Sequence, residues 1–242
     1  MAVIKHLVEA VDHRDRAGHA VERSQRYWLL SRLFSEVPSI ERLAEALAAV
    51  DELLAGKSSR PAEIAVLRRE LAAAILDPQG AAVAFTRYLT LIPKGGDESF
   101  PFESYFREGT LPGEATRQVE DFMLCAGYED LAIDVASVDH LAAELRLMAF
   151  LCHAEHVAWQ GDDRQRAVVS LTRQQNFLRE HLNAWAPEYC LALAGHAAHG
   201  YIQAIARLTA QTVRDDVTAL AAVCVAVDAD VAPASPANAA AQ

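Results

Sequence analysis

Apolar residues return every three to four positions along most of the chain, and no segment is long enough in strand-like alternation to read as a convincing strand. That period puts one greasy stripe on an α-helix and fits nothing else. Residues 24–36 place Leu29, Leu30, Leu33 and Phe34 on one face, and residues 40–55 repeat this with Leu43, Leu47, Val50 and Leu54 behind an N-cap at Ser39. Pro61 opens a helix to residue 76 carrying Ile64, Leu67, Leu71 and Ile75. Asp77-Pro78 ends it, and the next helix carries Val83, Tyr88 and Leu89. Further stripes follow over 114–126 with Gly127 as a stop, over 139–159 and over 164–185. Pro187 is expected to open another helix to residue 213, and a last one covers 215–227. The count is nine or ten helices and no strand, an all-α bundle. Alanine and leucine dominate the 52% apolar fraction while aromatics are only 7%, which suits packed helices.

The periodicity fails in one interior place. Residues 92–113 hold three prolines and four glycines and read as a long loop. Phe100, Phe102, Tyr105 and Phe106 give it an aromatic density that predicts packing or binding. Residues 1–20 read as an N-terminal extension and 21–227 as one helical domain with a hinge near 128–140. The Ala, Pro, Ser and Asn stretch 228–242 reads as a disordered tail.

The net charge of −11 opposes nucleic-acid and anionic-membrane binding and favours a basic partner. No uninterrupted apolar run approaches the ~20 residues of a membrane span. The first twenty residues lack a signal core, so a cytoplasmic protein is expected. Cys125, Cys152, Cys190 and Cys224 form no Cys-x-x-Cys pair, which argues against structural zinc and a disulfide framework. His153/His156 and His196/His199 are spaced to share helix faces, but no Glu-x-x-His accompanies them, so no di-iron site is expected, and a helical metal-binding enzyme stands only as an alternative reading. There is no phosphate-loop spacing and no Gly-x-Ser-x-Gly elbow. A binding protein fits better than an enzyme.

Asp139-His140 stands at the mouth of an amphipathic helix, with Glu144 one turn later. Asp139 is placed to cap that helix, and His140 to pack over Glu144 at the i, i+4 spacing.

Four stretches resemble, in order, the TorD/DmsD family of molybdoenzyme maturation chaperones. They are Arg26-Tyr27-Trp28-Leu29-Leu30-Ser31-Arg32-Leu33-Phe34, then Pro101-Phe102-Glu103-Ser104-Tyr105. The third runs from Asp139-His140 through Glu144-Leu145 to Met148, and the fourth from Gln175 through Phe177-Leu178, His181-Leu182 and Trp185 to Pro187. Ala136-Ser137 replaces the family's Glu-Pro, and Leu147 stands where an aromatic is common, so the acidic character rests on Glu103, Asp139 and Glu144. The resemblance implies a TorD-like bundle with a larger N-terminal and a smaller C-terminal helical portion joined near Asp139-His140. It implies a chaperone for the catalytic subunit of a molybdopterin oxidoreductase, bound through a twin-arginine signal peptide. The alternative is a NarJ-type chaperone whose client carries no export signal. The contacts it implies are Phe102, Glu103, Ser104, Tyr105, Asp139, His140 and Glu144, with the carboxylates facing an aromatic groove. No resident cofactor is implied; transient contact with molybdopterin guanine dinucleotide or a guanine nucleotide stays open, as does a domain-swapped homodimer.

Overall fold

The computed structural model describes the backbone of residues 2–56, 61–90 and 100–231, and side chains between 15 and 223 within those ranges. It is all-α: ten α-helices and two π-helical turns, with no strand among the described residues. The order is α1 (Ala2–Ser35), α2 (Ile40–Ala55), α3 (Pro61–Leu76), α4 (Pro78–Phe85) and a π turn over Thr86–Thr90. Then come α5 (Glu103–Glu108), α6 (Glu114–Ala126), α7 (Leu141–Gln160), α8 (Arg164–Phe177) and a second π turn over Leu178–Leu182. The described residues end in α9 (Asn183–His196) and α10 (Gly200–Val231).

Local signals act where expected at several ends. Ser39 caps α2 by accepting the Arg42 amide at 3.3 Å, and Asp77 caps α4 by accepting the Gly80 amide at 3.0 Å. Gly127 closes α6 at a φ of 86°, a conformation that costs a side chain but not glycine.

The centre is α7. Leu141 to Ala149 are buried without interruption, so the helix is enclosed on every side rather than along one stripe. Helix α1 packs along it, α8 lies against it, and α10 spans α9 and α3. Elements from before and after the 128–140 connector therefore interleave in one core holding Tyr27, Phe34, Phe177, Trp185, Tyr189 and Tyr201. Burial pushes the Cys152 thiol up to about 12, so it sits there as a small neutral apolar group.

Four expectations need correction. Helix α1 begins at Ala2, so the stretch expected as an extension is helical and continuous with the 24–36 stripe. The long loop contains α5, while 91–99 lie outside the described residues. Pro187 does not open a helix; it is buried inside α9, which follows α8 through the π turn without a break until Ala197. Its missing amide costs one helical hydrogen bond, and close packing of the surrounding Trp185, Ala186 and Tyr189 overrides that local preference. Nor does α10 break near Arg214-Asp215-Asp216. Asp216 is buried against Arg23, so the charged triplet is satisfied inside a continuous helix that runs to Val231. The remainder of the expected tail lies outside the described residues.

Candidate functional site

Helix α5 is too short to persist alone. It is held by Asp139, which stands 35 residues away in sequence. The Ser104 amide donates to Asp139 Oδ2 at 3.0 Å and the Glu103 amide to the Asp139 carbonyl at 2.9 Å. Ser137 Oγ donates to the other carboxylate oxygen. Asp139 therefore caps α5, not α7 as its position suggests. His140 caps α7 instead: the Ala142 amide donates to its Nδ1 at 3.0 Å. Burial lowers the His140 pKa to about 4, against the opposing pull of Asp139, so the ring is neutral and its Nδ1 lone pair is free to accept. His140 does not lie over Glu144; its ring meets Phe102 edge-on at 4.9 Å, where the two backbones form an isolated bridge.

Behind that bridge lies a buried acid cluster. Glu103, Asp139 and Glu144 are all fully buried. His181 Nδ1–H donates to Glu103 Oε2 at 2.9 Å, and Arg107 donates to Glu103 Oε1. Trp185 Nε1–H donates to both oxygens of Glu144, at 3.3 and 3.1 Å. Glu144 is held well above the ordinary carboxylate range. Burial is the main cause, then the Glu103 charge, opposed by the Trp185 hydrogen bond, then the Asp139 charge and a hydrogen bond with Glu103. Glu144 is thus biased toward its protonated form, with Glu103 beside it as a hydrogen-bond partner.

The linkage has a defined sign. Because the folded protein holds a proton that the unfolded chain releases, Glu144 favours folding most below the ordinary carboxylate range, and that contribution declines as pH rises toward its folded pKa. Glu144→Gln keeps a neutral donor toward Glu103 and removes this slope. Urea denaturation from neutral to mildly alkaline pH should show the variant at least as stable as wild type, with a flatter profile; an unchanged slope means the proton is held elsewhere.

All seven residues proposed from the sequence meet at one junction, yet Phe102, Glu103, Ser104, Asp139, His140 and Glu144 are buried and only Tyr105 is half exposed. In this conformation they join α5, the connector, α7 and α9 and present no carboxylate to solvent. Phe100 meets Tyr105 edge-on at 5.1 Å, and Phe106 packs near Trp185 at 6.0 Å. Arg107, His181 and Trp185 belong to the same cluster; His181 and Trp185 stand in the fourth of the family-like stretches, but none of the three is among the contacts expected from the sequence. The signal was their i, i+4 spacing: Glu103 with Arg107, and His181 with Trp185. His181 lies in the π turn, whose wider register turns a side chain that a regular helix would aim elsewhere.

Beside the cluster runs an open groove of about 440 Å³ between α6 and the connector. Its apolar residues are Leu111, Pro112, Met123, Leu131, Ile133, Val135 and Val138. Its charged residues are Glu120, Glu129 and Asp130, with no lysine or arginine among the lining residues. No three histidines, cysteines or carboxylates are placed to hold a metal among the described residues. No described helix is long and apolar enough to cross a membrane.

Residues 43–191 match the family described as nitrate reductase delta subunit, a span that includes the acid cluster and the groove. The chain belongs to the nitrate reductase delta subunit family. This is the NarJ/TorD-like group of redox enzyme maturation chaperones, so the resemblance read from the four stretches holds at that level. The fold of this delta-subunit relative is also that of a candidate redox enzyme maturation protein from Archaeoglobus fulgidus. The two share 15% identity at a TM-score of 0.53, over 79% of this chain and 93% of the archaeal one. No curated protein sequence matches the chain.

Proposed function

We propose that this maturation chaperone works in the cytoplasm on the apo catalytic subunit of a molybdopterin oxidoreductase, and holds its twin-arginine signal peptide in the groove between α6 and the connector. Occupying the leader delays export while the subunit stays open to its cofactor. The observation that carries the reading is the pairing of Glu120, Glu129 and Asp130 with an apolar floor in a groove without cations. A basic segment followed by an apolar one complements both halves of that lining. Asp139 and His140 position the connector that forms one wall. Phe102, Glu103, Ser104 and Glu144 anchor that wall to the core.

The test is calorimetric titration with a synthetic peptide of two adjacent arginines followed by a run of Leu, Val and Ala. Glu120 and Glu129 are exposed, so Glu120→Lys/Glu129→Lys should fold normally and bind about tenfold more weakly at low salt, the difference shrinking as salt rises. Equal affinity for wild type and the double variant would remove the groove from the account.

The family match favours a second reading of the same groove: a client kept inside the cell, whose N-terminal segment is apolar and basic without an arginine pair. Affinity that survives replacing both arginines by a single lysine selects it.

A further inference from the structure

The connector wall of the groove is unusual in its backbone. Ala132 sits at a φ of 49°, a left-handed conformation that a non-glycine residue adopts only when its surroundings fix it. They do. Its amide donates to Asp130 Oδ1 at 2.7 Å, and Arg146 of α7 reaches its carbonyl at 3.4 Å. Arg146 is itself fixed by Ser31 Oγ at 3.1 Å and by the Trp28 ring, 3.7 Å from its guanidinium. At the other end, the His140 amide donates to the Ser137 carbonyl at 3.2 Å and Ser137 Oγ donates to Asp139. The segment is therefore pinned at both ends.

Between the pins, burial alternates. Ile133 and Val135 are half buried and line the groove, Asp134 is exposed and does not line it, and Ala136 is exposed at the groove's edge. A two-residue period is that of an extended chain. Yet the backbone amides and carbonyls of residues 133–136 form no hydrogen bond among the described residues. A pinned segment that runs without helix or turn over residues 133–135, bends at Ala136 and leaves its donors and acceptors unused beside an apolar and acidic groove has the properties of a sheet edge awaiting a strand.

We propose that residues 133–136 bind the client segment by strand addition: an extended peptide pairs its backbone with the connector and lays alternate apolar side chains into the groove. Basic residues at one end of the peptide then meet Glu129 and Asp130. This rests on the proposed function and adds the conformation and side-chain pattern of the partner. The site selects alternating apolar residues beside a basic end, because only every second side chain reaches the floor. Fixing the wall in advance removes part of the ordering cost of binding.

The experiment is NMR of the full-length protein with the same arginine-pair peptide, isotopically labelled. Strand addition predicts extended Cα shifts in the bound peptide and cross-peaks from its backbone to residues 133–136. It also predicts slowed exchange of every second connector amide. N-methylation of single peptide amides should weaken binding about two- to tenfold at alternate positions and little between them. Helical shifts in a bound peptide, or methylation effects without alternation, overturn strand addition and leave the proposed function standing. No binding at all overturns both. Slow connector exchange in the free protein, together with a dimeric mass by light scattering, would assign the edge to a second copy of this chain and overturn the proposal.

Discussion

Trp185→Ala is expected to destabilise the fold by about 3–5 kcal/mol, the range for deleting a large buried aromatic. The indole is fully buried, packs against Tyr189 at 5.6 Å and near Phe106, and donates its only N–H to Glu144. Its loss opens a cavity and leaves an acid pair with one donor fewer in a site that water does not reach. Urea denaturation measures the cost, and it is a large share of the about 5–15 kcal/mol that holds a typical domain together. Trp185→Phe restores most of the volume without the N–H and should recover most of the loss. If the two variants were equally damaged, the hydrogen bond rather than packing would dominate at this position.

A second large effect is expected at Arg23, far from the groove. Its guanidinium reaches Asp216 of α10 at 3.1 Å, Glu155 of α7 at 3.3 Å, the Cys152 sulfur at 3.3 Å and the Gln174 side chain of α8. Four helices meet on one cation. Arg23→Ala leaves two buried carboxylates without their counter-charge, which costs about 3–5 kcal/mol. Arg23→Lys keeps the charge but loses the planar fork, so its midpoint in urea should fall between those of wild type and Arg23→Ala. Stability equal to wild type in Arg23→Ala would mean that solvent already screens Glu155 and Asp216. Their near-complete burial argues against that.

Both predictions fall on residues whose importance the sequence shows only in part. The helices were legible because burial imposes a period, and α2, α3 and α6 lie within a residue or two of where their stripes place them. What failed were judgements from local chemistry that distant residues overrule. Asp139 looks like the cap of the helix it precedes, but the amides it accepts belong to α5. Pro187 looks like a start and Arg214-Asp215-Asp216 like an end, yet packing and Arg23 carry the chain through both. The junction residues were found because their motifs are distinctive. Their burial was not legible, since a carboxylate in a motif gives no sign of whether a histidine, an arginine and an indole will enclose it. The groove was equally hidden. Its acidic residues come from α6 and the connector, and neither Glu120 nor Glu129 belongs to a recognisable motif.

The two regions then divide the work. The acid cluster fixes α5, α7 and α9, and through Asp139 and Ser137 it fixes the end of the connector. The connector and α6 offer a receptive surface outside that core. Variants of the cluster should therefore change stability first and client binding only through it, whereas groove variants should change binding at constant stability.

The most direct measurement is photo-crosslinking from a benzophenone placed in the apolar run of the arginine-pair peptide, followed by mass mapping of the adducts. Adducts on Leu111, Met123, Ile133 and Val135, competed away by the unlabelled peptide, are the expected result. Competable adducts confined to α3 and α4, which contribute no residue to the groove, would contradict it and place client recognition somewhere other than this groove.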